Sequence, residues 1–300
     1  MRSKWQFMLS MAIFGSIGLF VRYIDLPAST IAMLRGLIGS LFLFVVMLAM
    51  KQKLNWAEIK RNLAFLVLSS VALSGNWIFL FMAFKHTTLS NAVLCYYFAP
   101  VFLMVLAKIV LKEPISPAKV FCIGCAMLGI FLIVSSGRRG SIEPHHYVGI
   151  TCGLMAAAFY AGLMTLNKFI RNLTGLETTM MQLGMTTLIL TPYVFLVEKV
   201  GTFHVSAGAM VLILVLGLLH TGIGFYLFFA GMQRLKGQTI ALLSYTDPLT
   251  ALTLSILVLR EPMTLAQVLG GALILGSTSI NELLEKRRGL RVSGCTPPLA

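Results

Sequence analysis

Apolar runs of about twenty residues, each closed by a short polar or basic interval, recur along the whole chain. A helix needs about 20 such residues to cross the hydrocarbon core of a bilayer. Marking the runs predicts ten spans, at roughly 6–23, 27–50, 62–84, 90–111, 117–135, 147–170, 176–197, 207–231, 236–259 and 265–283. The punctuation agrees with this division. Pro27 opens the second run, Ser116 and Pro117 offer an N-cap and a first-turn proline to the fifth, and Thr264 to Gln267 has the spacing of a capping box before the tenth. The first run follows Arg2 and Lys4 as a signal peptide would, but it lacks a small-residue cleavage site and is read as a retained span.

Composition points the same way. Of 300 residues 58% are hydrophobic and only 11% charged, against about 25% in a soluble domain. The net charge of +14 does not imply nucleic acid, because the basic residues sit in short clusters between apolar runs. With the N-terminus in the cytoplasm, inside segments carry seventeen Lys and Arg and outside segments six, with Arg35 alone inside a span. That bias places both termini in the cytoplasm. Five cysteines give no disulfide framework, and the Cys122–Cys125 pair lies at helix spacing within a span, so packing is expected rather than a metal or cofactor site.

The chain also repeats itself. LCYYFAPVFLMVLAKIVLKEPISPAKV (94–120) and LLSYTDPLTALTLSILVLREPMTLAQV (242–268) agree at ten of 27 positions with a constant offset of 148. Chance matches between apolar residues are easy. Pro100/Pro248 and Glu113-Pro114/Glu261-Pro262 at fixed spacing are harder to dismiss. The expected layout is a first five-helix repeat over 1–136, a linker GRRGSIEPHH at 137–146, a second five-helix repeat over 147–284 and a cytoplasmic tail, 285–300. Five spans is an odd number, so the second copy would enter the membrane from the opposite side. Inverted repeats of this kind are typical of secondary transporters, with the substrate site near the midplane between halves. The fold class expected is therefore all-α integral membrane, ten transmembrane helices in two inverted repeats.

The paired five-helix copies, the helix ending in (K/R)EP and the Gly-rich VLGGALILGS (268–277) resemble the drug/metabolite transporter superfamily, EamA type, over about residues 5–284. The resemblance implies a proton-coupled or facilitated carrier with a central cavity, commonly an exporter of amino acids or other metabolites.

Polar residues at midplane depth are the candidate site. An Asp at the centre of a spanning helix costs about 2.5–3.5 kcal/mol on insertion scales, so it normally faces a cavity or a partner. Asp247 lies eleven residues into the ninth run, close to the about ten residues that make half a 30 Å core. Pro248 beside it removes a backbone donor. At comparable depth lie His220, Tyr160 and Asn76, with rings from Trp77, Tyr96, Tyr97, Tyr226 and Tyr245 nearby. Spans three, four, six, eight and nine would build the pocket. Asp247 would hold a proton or the cationic part of the substrate, with His220 as hydrogen-bond partner. The plainer readings are a protonated Asp247 satisfied by a neighbouring helix, a core histidine bonded to a carbonyl, and rings that only pack. Arg35 is the other charge inside a span. It can pair with Asp247, bind a substrate carboxylate or snorkel to the outer face. Gln182 lies at offset 147 in the second copy, so the polar position itself is a candidate for duplication. The two Glu-Pro loops read as structural, each Glu offset by Lys112 or Arg260.

The function expected is secondary active transport of a small metabolite, an amino acid or similar zwitterion or amine, by alternating access across the inner or plasma membrane, in the direction of export and with protons as candidate coupling ions. A multidrug or organic-cation exporter is the alternative. An intramembrane lipid-modifying enzyme is disfavoured, because the chain has neither an HExxH helix nor a second membrane carboxylate. No GxxxxGK[ST] phosphate loop is present to make it a primary pump. The partners expected are the small-molecule substrate, the lipid bilayer and no nucleic acid.

Overall fold

With no water in the membrane core, each apolar run must satisfy its own backbone, and helices do this. In the computed structural model the described residues are 2–52, 54–110, 112, 117–136, 145–196, 198, 206–232, 243–244, 246–277 and 280. Every regular element among them is helical. The order is α1 (Arg2–Gly15), α2 (Ile17–Arg22), α3 (Ala28–Ala49), α4 (Trp56–Arg61), α5 (Leu63–His86), α6 (Leu89–Tyr96), α7 (Ala99–Val110), α8 (Pro117–Ser136), α9 (His145–Asn167), α10 (Gly175–Leu196) and α11 (Ala207–Val215). A π-helix (Leu216–Ile223), α12 (Gly224–Met232), α13 (Thr246–Leu257) and α14 (Leu265–Ser277) follow.

Seven segments among the described residues are long and apolar enough to cross a membrane: Ser3–Arg22, Ala28–Ala49, Leu63–His86, Leu89–Val110, His146–Asn167, Gly175–Leu196 and Ala207–Gly231. They coincide with seven of the ten expected runs. The fifth run is the apolar helix α8, the ninth is described from Thr246 as α13, and the tenth as the shorter α14. Most of the linker, the tail, Glu113 and Tyr245 lie outside the described residues.

The centre is the pair α3 and α10, and each member is held at its N-terminus by the loop that follows the other. Glu198, beyond α10, accepts hydrogen bonds from the hydroxyls of Ser29 and Thr30 in the first turn of α3. Asn55, beyond α3, donates its backbone amide to Glu177 in the first turn of α10. Thr174 and Glu177 form a reciprocal capping box there. Several other contacts also come in pairs. α5 packs on α9, as α12 packs on α1; α10 packs on α5, as the π-helix packs on α3; α6 and α7 pack on α9, as α13 packs on α1. Exchanging the halves maps this pattern onto itself. Ring pairs line the matching seams, Phe79 stacked on Phe159 at 5.6 Å and Phe14 tilted against Phe225 at 5.2 Å. Lys112 and Arg260, equivalent in the repeat, both adopt the left-handed backbone, with φ of 55° and 53°, as residues just past a helix C-terminus often do.

The helices are interrupted at one depth. The first span steps at Ser16, whose amide bonds to Ile13 O at 3.2 Å in a three-residue turn. The fourth breaks at Tyr97 and Phe98, ahead of Pro100, which cannot donate to the preceding turn. The eighth widens into the π-helix, and Asp247 lies beside it in the first described turn of α13.

Candidate functional site

Those interruptions converge on Asp247. The Tyr97 hydroxyl lies beside its carboxylate, close enough to act as its donor. Tyr97 is the helix-terminating residue of α6, so the break in one span delivers the phenol to the acid in another. Gly15, where the first span steps, packs directly on the Asp247 carbonyl oxygen and on Thr250; a Cβ there would lie inside contact distance of both. Tyr96 and Tyr160 complete the aromatic wall. Their ring centres are 5.5 Å apart, Tyr96 lies 6.1 Å from Tyr97, and both interact electrostatically with Asp247. Asn76 donates to Ala156 O at 2.8 Å and meets the Tyr96 hydroxyl at 3.5 Å, bracing α5 against α9 behind this wall. Asp247, Tyr96, Tyr97 and Tyr160 are half-buried and keep some surface open.

Arg35 also neighbours Tyr96, which interacts electrostatically with both charges. It is only 3% exposed, so it does not snorkel. Its guanidinium carbon sits 4.4 Å from the Trp77 ring centre and 5.8 Å from that of Phe81. A desolvated cation over a Trp face gains about 2 kcal/mol. Its Nε donates to Thr221 Oγ1 at 2.6 Å, and that hydroxyl donates to Leu216 O at 3.0 Å. Among the described residues Arg35 and Asp247 form no ion pair with each other.

His220 does not partner Asp247. It is buried in the π-helix, with Nε2 at 2.9 Å from Ser16 Oγ, Nδ1 at 3.3 Å from Val215 O and the Phe20 ring edge-on at 4.7 Å. The extra backbone residue of the π-helix turns the ring toward the first span. His220 and Thr221 both reach carbonyls five residues back, the separation a π-helix opens; such segments concentrate at functional sites.

The comparisons agree with this architecture. The EamA-like transporter family matches residues 4–135 and again residues 147–281. The chain belongs to the EamA-like transporter family. An uncharacterized transporter of Bacillus subtilis (strain 168), YxxF, is 32% identical over 284 residues, 94% of this chain and 89% of its own. An uncharacterized transporter of Archaeoglobus fulgidus is 25% identical over 273 residues, 91% and 93% of the two chains. The uncharacterized inner membrane transporter YicL of Salmonella typhimurium is 30% identical over 167 residues, 54% of each. A crystal structure with 18% identity superposes with a TM-score of 0.62, over 95% of this chain and 98% of that one. It shares the fold. The chain is thus a multi-pass membrane transporter.

In this EamA-like chain the expected residues separate into three groups. Asp247, Tyr97, Tyr160, Asn76, Trp77 and Arg35 form one layer. His220 adjoins it through Ser16 and, through its neighbour Thr221, supports Arg35. Tyr226, on α12, is 39% exposed and has no contact with this layer among the described interactions. Ser16, Thr221 and the central position of Tyr96 were not legible from counting depth, because depth does not report which way a helix face points. Gln182 is polar and buried like Arg35, but it bridges Ser69 at 2.7 Å and Asn167 at 2.6 Å and so joins three helices. Glu261 is offset by Arg22 rather than by Arg260.

Proposed function

We propose that the chain is a secondary carrier for a small zwitterion of the amino-acid class, working by alternating access and in the direction of export, with both termini cytoplasmic in the inner or plasma membrane. The observation that carries this reading is the disposition of two opposite charges in one buried layer. Arg35 and Asp247 both interact with Tyr96 and, among the described residues, form no ion pair with each other. A molecule with a carboxylate and an ammonium group would satisfy both, and the Tyr96, Tyr97 and Tyr160 rings would pack on its apolar part. Asp247 would exchange its proton for the ammonium, which makes it the candidate for coupling to protons. A purely cationic drug would use Asp247 and the rings but would leave Arg35 without a counter-charge.

Two inverted five-helix repeats, ten spans in all, are part of the same proposal. The double family match, the contact pattern that survives exchange of the halves and the equivalent left-handed Lys112 and Arg260 support it.

The test is ligand-induced thermal stabilisation of the purified protein, since a ligand that binds only the folded state raises the melting temperature. The panel is amino acids, their methyl esters, which lose the carboxylate, and their N-acetyl derivatives, which lose the ammonium. Stabilisation should require both groups in the wild type. Asp247→Asn should abolish it, and Arg35→Gln should abolish the preference of the free acid over its ester. Equal stabilisation by ester and acid would sink the zwitterion reading in favour of the organic cation.

A further inference from the structure

We infer that Glu261 and Arg22 form a latch that closes one end of the bundle above the Asp247 layer and opens when the carrier exposes that layer to the same side. This rests on the transporter reading above. The end concerned carries Arg22, Lys85 and Glu261 and is the one expected to face outward.

Glu261 follows α13 in the second Glu-Pro sequence, and its carboxylate collects donors from three half-helices. Arg22, the last residue of α2, forms the ion pair. The backbone amide of Leu89, first residue of α6, donates to Oε2 at 2.9 Å. The Ser255 hydroxyl of α13 donates to the same oxygen, while Ser255 and Ser90 also share a hydrogen bond of 2.7 Å. One carboxylate therefore ties together the ends of α2, α6 and α13.

α2 and α6 have their other ends in the Asp247 layer, and α13 carries Asp247 itself. α2 begins after Ser16, which is bonded to His220, and next to Gly15, which touches the Asp247 carbonyl. α6 ends at Tyr96 and Tyr97, whose phenol lies beside the Asp247 carboxylate. Asp247 lies in the first described turn of α13. A displacement at the layer must swing the arms that Glu261 joins, and release of Glu261 frees those arms to leave the layer. The central pair α3 and α10 is built differently, being fastened at both ends by Glu198 and Glu177. It is the frame against which the arms move.

The exposure of the pair suits a contact made and broken in every cycle. Glu261 is 9% exposed while the Arg22 side chain keeps 37% of its surface open. Water can take over the guanidinium as the pair parts, which a fully enclosed pair would not permit without a large desolvation cost.

The test uses Tyr160→Cys as a reporter in the full-length chain, in intact cells, with a membrane-impermeant methanethiosulfonate added outside. The chain without the reporter measures background from native thiols. Labelling of the reporter should be slow when the latch is intact and about tenfold or more faster with Arg22→Ala or Glu261→Gln, the factor for a loss of about 1.4 kcal/mol in the closed state. Arg22→Lys keeps the cation and should stay slow. Retention of the thermal transition shows which variants fold, and Arg22→Ala carries the test if Glu261→Gln does not. Equal rates in all these chains, with the reporter reactive in unsealed membranes, overturn the latch but leave the carrier reading intact. So does an Arg22→Lys rate equal to that of Arg22→Ala. A reporter unreactive from both faces of unsealed membranes in every variant overturns the central pathway itself, and the latch with it.

Discussion

Arg35 and Asp247 illustrate how a membrane interior keeps two charges. Each has a local arrangement that stands in for water: a Trp77 face and the Thr221 hydroxyl for the cation, a phenol for the acid. Thr221 is the weak link, because one hydroxyl serves both the guanidinium and the π-helix carbonyl of Leu216. Thr221→Val keeps the shape and removes the acceptor. It should cost about 1–2 kcal/mol, near the upper end for a hydrogen bond between membrane helices, seen as a lower melting temperature in detergent. Thr221→Ser should stay close to wild type in stability and ligand response. A Thr221→Val melting temperature equal to that of wild type would mean that Trp77 alone holds Arg35. At this scale the sequence placed the charged residues well and their partners poorly. Midplane depth follows from counting at a fixed rise per residue, whereas the choice of Tyr97 over His220 as partner of Asp247 depends on rotation about the helix axis.

At the scale of the helices, the candidate site lies where regularity fails. The step at Ser16, the break at Tyr97 and Phe98 and the π-helix lie around the layer that holds Asp247. Irregular backbone at membrane depth is tolerated only when buried in protein or beside a water-filled cavity. Gly15 makes the crossing of the first span with α13 possible, since any side chain would meet the Asp247 carbonyl and Thr250. Backbone cannot yield as a flexible side chain can. Gly15→Ala should therefore push α1 from α13, lower the melting temperature and weaken ligand stabilisation together. Gly124, with open space around its Cβ position, is the control: Gly124→Ala should change neither. A Gly15→Ala protein that melts and responds like wild type would show that the two helices are not in close contact. Proline marks part of this pattern in the sequence, at Pro100 and Pro248. The π-helix carries no such mark, because it differs from an α-helix only by hydrogen bonds that reach one residue farther.

For the whole molecule, the exchangeable contact pattern and the positive-inside bias lead to one prediction of topology. Tyr23, 63% exposed, lies at the end expected outside, and Trp56, 60% exposed, at the end expected inside. An impermeant thiol reagent should label Tyr23→Cys in intact cells and Trp56→Cys only after the membrane is opened. The reverse order would invert the whole assignment and would place the Glu261 latch at the cytoplasmic face. The pairing of α3 with α10, each clasped by the loop after the other, is a long-range feature with no counterpart in local sequence. The Thr174–Glu177 capping box is local and was open to view, but its second partner, the Asn55 amide 122 residues earlier, was not.

The sequence by itself determined the solvent, the spans and the repeat: apolar runs long enough for a bilayer, charge bias between them and a motif that returns after 148 residues. These are one-dimensional properties, set by transfer free energy and helix rise. Only the tertiary structure decided that Tyr97 meets Asp247, that Arg35 rests on Trp77 and Thr221 and that Glu261 pairs with Arg22. Those choices depend on helix rotation, on local breaks in the backbone and on which helices pack together, and a pattern read along the chain specifies none of the three.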